Sequence, residues 1–106
     1  MNENAASDLV GLCAELAAEL EEVTSTTEAG TTSYARGSAE FARVAASELD
    51  VRLPVDIAEA ALRTPDTVLD PDDRGWLRFT PADDERHVTD RATAWFRTAW
   101  RHAADN

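Results

Sequence analysis

Histidine and cysteine are the side chains that most often carry catalysis or hold transition metals, and this chain is poor in both. His87 and His102 are its two histidines and Cys13 is its one cysteine. Neither histidine has a second histidine or a cysteine at ligand spacing, so no zinc site is expected. Cys13 falls on the leucine side of an apolar repeat, which suits a small buried hydrophobe better than a reactive thiol. His87 lies in a polar stretch. His102 lies in the last turn of a helical pattern, where the helix dipole accounts for a basic residue without any catalytic role. No Gly-x-Ser-x-Gly elbow, glycine-rich phosphate loop or Walker lysine occurs. No nucleophile, base and orienting group can be assembled from these residues, so the expectation is a non-enzyme without a cofactor.

Carboxylates are plentiful, and two groups of them could hold a hard cation. Asp70-Pro71-Asp72-Asp73-Arg74-Gly75 has acids at the first and third positions of a calcium loop and glycine at the sixth. It puts Arg74 where a fifth-position oxygen ligand belongs and Pro81 where the bidentate Glu belongs, so it is expected to be an acidic surface loop. Asp8, Glu15, Glu19 and Glu22 share one face of a helical repeat. Such a stripe collects cations without defined geometry, and its plainer role is a solvated helix face, so no metal is assigned to it.

The more specific chemistry is on strands. Leu49, Val51 and Leu53 alternate with Glu48, Asp50 and Arg52, and Leu77 and Phe79 alternate with Trp76 and Arg78. Period-2 alternation gives each strand one buried and one wet face. Arg52, Trp76 and Arg78 are therefore expected on a sheet face that helices leave open, with Trp76 exposed. Parity adds Tyr34 with Arg36 and Phe41 with Arg43 to the same face. Interleaved arginines and aromatics can bind an anion or stack on a base. They can also simply stabilise an open sheet by cross-strand contacts.

The elements that position these groups follow from periodicity. Residues 5–23 are expected to be helical, with Leu9, Leu12, Leu16, Leu20 and Val23 on one stripe and Ser7 as N-cap. Thr, Gly and aromatic residues over 25–53 indicate strands near 25–29, 32–36, 40–46 and 48–53. Pro54 opens a second helix through Ile57, Ala58, Ala61 and Leu62, which ends before Thr64-Pro65. Residues 64–75 are expected to be a loop, 75–80 a strand and 89–104 a helix. That last helix would pack through Ala92, Trp95, Phe96, Ala99, Trp100 and Ala103, with Thr89 as its N-cap. The fold class is α+β: an antiparallel sheet of four to five strands, helices packed on one face, order α-β(3–4)-α-β-α. The expected core includes Leu12, Leu16, Leu20, Val51, Leu53, Ile57, Leu62, Leu77, Phe79, Phe96 and Trp100.

Length and composition bound the rest. A chain of 106 residues, 43% hydrophobic and 29% charged, fits one domain over 1–106. No apolar run reaches the roughly 18 residues a membrane helix needs, so no membrane partner is expected. Met1-Asn2-Glu3-Asn4 is polar and acidic rather than basic and then apolar, so no signal peptide is expected. With a lone cysteine excluding an internal disulfide, a reducing cytoplasmic location is expected. Twenty-one acids face ten arginines, there is no lysine, and the net charge is −11. Residues 1–35 carry no basic side chain, so the acidity is concentrated at the front of the chain.

The stretch Thr31 to Val44 (TTSYARGSAEFARV), the strand-to-helix segment Val51 to Asp66 (VRLPVDIAEAALRTPD), Arg74-Gly75-Trp76-Leu77 and Ala99-Trp100-Arg101 resemble the MmcQ/YjbR family of small bacterial proteins, as does the order of elements. The resemblance implies a CyaY-like α+β fold and a double-wing DNA-binding protein. The chain departs from that family in a shorter loop before the last strand, in lacking lysine, and in a net charge that opposes phosphate contact.

The expected function is a non-catalytic binding module that contacts nucleic acid or another anionic ligand through Tyr34, Arg36, Phe41, Arg43, Arg52, Trp76 and Arg78. The alternative is an acidic protein-interaction or metal-handling domain using Asp8, Glu15, Glu19 and Glu22. A homodimer through the Trp76 face would compete with ligand binding there.

Overall fold

A computed structural model describes residues 8–45, 48–64, 66–70, 73–81 and 88–104. Ser7, Pro71, Asp72, His87 and the side chains of Asp8 and Arg74 lie outside the described residues, and with them the N-cap, calcium-loop and loop-histidine expectations. The element order is α1 (Asp8–Glu19), β1 (Val23–Glu28), β2 (Thr31–Arg36), β3 (Ala39–Ala45), β4 (Glu48–Arg52), α2 (Val55–Ala61), β5 (Thr67–Asp70), β6 (Asp73–Phe79) and α3 (Val88–Ala104). The fold is α+β, with helices packed on one face of an antiparallel sheet. That sheet has six strands, in the order β1-β2-β3-β4-β6-β5.

The first four strands form a meander closed by tight turns. Ala29 and Gly30, at φ of 54° and 85°, join β1 to β2. Positive φ at both turn residues matches the right-handed twist of a hairpin. Gly37, at φ 63°, starts the turn from β2 to β3. After β4 the chain leaves the sheet through α2, passes over the slot that β6 will fill, and lays down β5 at the far edge. β6 then returns between β4 and β5, pairing Leu49 with Phe79 and Val51 with Leu77 on one side and Leu69 with Leu77 on the other.

β5 is the strand missing from the sequence expectation, which treated residues 64–75 as a loop. Its four residues lie between Pro65 and Pro71, too short a run for alternation to stand out. Its partner supplies what the local pattern lacks. Thr67 and Leu69 point toward the core side while Val68 and Asp70 are exposed. The entry is tied down by threonines: Thr64 donates its amide (2.9 Å) and its Oγ1 hydroxyl (2.6 Å) to the Ala61 carbonyl, and the Thr67 hydroxyl lies within reach of the Thr64 (3.1 Å) and Ala61 (3.2 Å) carbonyls.

The helices differ from expectation at their ends. α1 stops at Glu19, and the Leu20 amide closes onto the Ala17 carbonyl at 3.3 Å. Glu22, at φ 63°, turns the chain into β1, so Leu20, Glu22 and Val23 are not helical. Thr89 is inside the first turn of α3 rather than its N-cap. In α2 only Ala58 and Ala61 are buried, whereas Ile57 and Leu62 are 39% and 41% exposed. This short helix touches the sheet through its alanines, so those two residues leave the expected core.

One apolar cluster joins the helices to the sheet. Leu9, Cys13 and Leu16 from α1 and Ala92, Phe96, Ala99 and Ala103 from α3 meet Val44, Leu49, Val51, Leu53, Leu77 and Phe79. Leu12, Leu20 and Trp100 pack at its margin, half-buried. Phe96 is the hub, edge-on to Tyr34 (5.4 Å between centroids) and to Phe41 (5.2 Å). Edge-to-face geometry sets the positive ring edge against a negative ring face.

Candidate functional site

Arg43, Arg52, Trp76 and Arg78 lie on the face the helices leave open, as the alternation requires. Cross-strand register lines them up: Ser33 opposite Arg43, Arg43 opposite Asp50, Asp50 opposite Arg78, and Arg78 opposite Val68. Arg52 is the direct partner of Trp76. The row therefore reads cation, anion, cation across three adjacent strands.

Tyr34, Arg36 and Phe41 are on the other face, contrary to the sequence expectation. Tyr34 shares its parity with Arg36, but that parity is the helix-covered one. Tyr34 is buried against Phe96. The Arg36 guanidinium lies 3.9 Å over the Trp100 ring and donates to the Trp100 carbonyl at 3.2 Å, clipping β2 to the last turns of α3. Phe41 is separated from Arg43 by a β-bulge. Tyr34 pairs with Ala42 but Ala35 with Glu40, leaving Phe41 as an extra residue. A bulge breaks the strict alternation of faces, and Phe41 and Ala42 are both buried on the helix side.

The residues that remain form a connected network. Arg43 donates from Nε to Glu40 Oε2 at 2.9 Å and from Nη2 to Oε1 at 3.4 Å, while its guanidinium carbon sits 4.2 Å over the Trp76 ring. Arg78 donates to both oxygens of Asp50, at 3.0 and 3.3 Å, with Glu48 at 3.6 Å. Forked pairs of this kind fix orientation as well as charge. The hydrogen bond to Asp50 raises the Arg78 pKa further, and the hydrogen bond to Arg43 holds the Glu40 carboxyl below its ordinary range. Trp76 is not the exposed ring that alternation alone implied, for Arg43 and its neighbours leave only 9% of it open.

Between these side chains lies a recess of about 160 Å³, bounded by Arg43, Asp50, Val68, Asp70, Trp76 and Arg78. It is small beside the 300 Å³ or more typical of ligand pockets (roughly). Its size suits one planar or charged group. Glu40 and Val68 are not singled out by the sequence, and Asp70 only as the head of the calcium-like loop. Glu48 and Asp50 were legible as the wet positions of β4, but their pairing with Arg78 needs the β4–β6 register. Val68 and Asp70 needed β5 itself.

The acidic alternative is only partly assembled. Glu15 is exposed, Glu19 pairs with Arg97 at 3.6 Å, and Glu22 sits beyond the helix, 3.4 Å from Arg36. Among the described residues no three His, Cys, Asp or Glu side chains converge as metal ligands. No helix among them is long and apolar enough to cross a membrane.

Comparison with known protein families, with curated proteins and with solved structures found no match.

Proposed function

We propose that this chain is a non-catalytic binding module working through the open face of its sheet, and that it takes an anionic group beside Trp76. What carries this is Arg52. It stands directly opposite Trp76 in the β4–β6 ladder, and no ion pair among the described residues engages it. Arg43 and Arg78, by contrast, are held by carboxylates. A guanidinium next to a ring already stacked by another arginine can grip a carboxylate or phosphate without first breaking an internal pair.

The same carboxylates narrow the ligand. Glu40, Glu48 and Asp50 lie along the face, and the whole chain carries −11. A continuous phosphate backbone would meet them at close range, whereas an isolated anionic group would not. A peptide bearing a single carboxylate or phosphate therefore fits better than duplex DNA. The MmcQ/YjbR resemblance favours nucleic acid instead, and one experiment separates the two.

Fluorescence polarisation of labelled single-stranded DNA, duplex DNA and an otherwise neutral peptide carrying one phosphoserine, each titrated across a salt series, is the test. Binding should weaken linearly in log affinity with log salt. Arg52→Ala should reduce it about tenfold, the loss of one charge-assisted hydrogen bond. Asp50→Asn, which removes a negative charge from the recess, should strengthen it. Arg101→Ala, at an exposed position of α3 on the other side of the sheet, should leave it unchanged. Absence of binding to all three probes at low ionic strength would end this reading, as would equal losses from Arg52→Ala and Arg101→Ala.

A further inference from the structure

The two edges of the sheet are treated differently. β5, at one end, has four residues, a register shift between Leu69 and Asp70, and an exposed acid. Short length, irregular register and charge are the usual devices that stop an edge from recruiting another strand. β1, at the other end, shares only the terminal acid, Glu28, and is longer and regular in register. Its sequence is VTSTTE, without proline or lysine, and all six residues pair with β2 in unbroken register. Five of the six are exposed. Among the described residues no backbone hydrogen bond reaches its outer side. A regular strand then offers alternate N–H and C=O groups to solvent, ready to pair.

A groove runs beside this edge on the helix side. It has a volume of about 790 Å³, meets the first two residues of β1, and is lined by Ala17, Leu20, Val23 and Ala103 together with the polar Thr24 and the Glu22–Arg36 ion pair. It exists because α1 and α3 both end short of β1, leaving the inner side of that strand uncovered. A strand added to β1 would send alternate side chains toward this groove and the others to solvent. A regular edge and, at its start, a groove of mixed polar and apolar lining suit an extended peptide with apolar residues at alternate positions.

Charge identifies the partner further. Glu21 and Glu22 precede β1, Glu28 ends it, and no basic residue occurs before Arg36. A second copy of the chain would bring another net charge of −11 to this border. A basic segment would be attracted to it.

We propose that the outer edge of β1 binds an extended basic peptide by antiparallel strand addition, its apolar side chains entering the groove beside Leu20 and Val23. This surface is separate from the Trp76 face and does not depend on it. Backbone pairing supplies affinity in this mode, and the groove and the flanking glutamates supply selectivity.

The test uses the full chain, isotope-labelled, titrated with the peptide acetyl-Lys-Arg-Thr-Val-Thr-Val-Thr-Arg-Lys-amide and followed by amide NMR shifts. Shifts should concentrate on Val23–Glu28 and on Ala17 and Leu20. Backbone N-methylation at the valines and at the central threonines should act oppositely. One set should lose binding by about tenfold or more, because those amides face β1, while the other set should keep it. Glu28→Arg, at an exposed site, should weaken binding roughly fivefold. Indifference to both methylation sets would overturn the proposal, as would shifts centred on Trp76. So would a peptide-free dimer in sedimentation whose interface maps to β1, which would make a second copy the occupant.

Discussion

At the scale of single residues, arginine is the side chain that organises this protein, and it does so in two ways. Arg36 clips the sheet to α3 through Trp100, and Arg91 lies over Phe79 (4.6 Å) and Trp95 (5.3 Å) while donating to Thr64 Oγ1. Arg43 and Arg78 build the open face. Cys13 behaves as its place among leucines implied: it is fully buried, and burial pushes its thiol up to about 12. In the unfolded chain a thiol ionises near its ordinary value of about 8.5. Above that pH the unfolded state loses a proton that the folded state keeps, so stability falls as pH rises. The loss should run from about pH 9 to 12 and reach a few kcal/mol, on the order of what a shift of this size implies. Denaturant midpoints measured over that range should drop for the natural chain and drop less for Cys13→Ala. At pH 8 a thiol reagent should modify Cys13 only at the rate of global unfolding.

At the scale of elements, the turns decide what the strands can do. Ala29 occupies the left-handed region at φ 54° beside Gly30, a conformation that costs a non-glycine residue roughly 1–2 kcal/mol. Asparagine tolerates it better, so Ala29→Asn should stabilise the protein by about 0.5–1 kcal/mol. The check is a thermal midpoint raised by roughly 2–8 °C; an unchanged midpoint would mean the β1–β2 turn is not strained. Much of this level was legible in the sequence. The four strands of the meander, α2 beginning after Pro54, and the long α3 all follow from local signals. The bulge at Phe41 does not. Alternation is a property of one strand, whereas a bulge is a mismatch between two, set here by the gain from seating Phe41 against Phe96. β5 was hidden for a related reason, since four residues between prolines become a strand only when β6 is there to pair with them.

At the scale of the whole molecule, α3 is the element on which the core depends. It crosses β2, β3 and β4 and packs on α1, and Phe96 at its centre holds Tyr34 and Phe41 by their edges. Phe96→Ala should cost about 3–5 kcal/mol through lost burial and an unfilled cavity. That is a large share of the roughly 5–15 kcal/mol available to a domain. Equilibrium denaturation should show a midpoint far below that of the natural chain. The same variant would free the Tyr34 and Phe41 rings while leaving Arg43, Arg52, Trp76 and Arg78 in place, so an open-face ligand should still protect the weakened protein. Charge acts at this scale too: Glu21, Glu22 and Glu28 flank the β1 edge, and the arginines fall later in the chain, where they can be paired.

The sequence by itself determined the α+β class, the wet faces of β4 and β6, the apolar stripe of α1 and the packing face of α3. Each rests on a period of 2 or of about 3.6 residues, and such a period is complete within a single element. Only the tertiary structure decided which side of β2 the helices cover, that Ile57 and Leu62 stay exposed, and that Arg43 and Arg78 are held by Glu40 and Asp50. A side chain's face is local, but what lies over that face, and which charge stands opposite, depends on a partner brought from elsewhere in the chain. The same holds for Arg52 and for β1, whose open positions are defined by what does not pack against them.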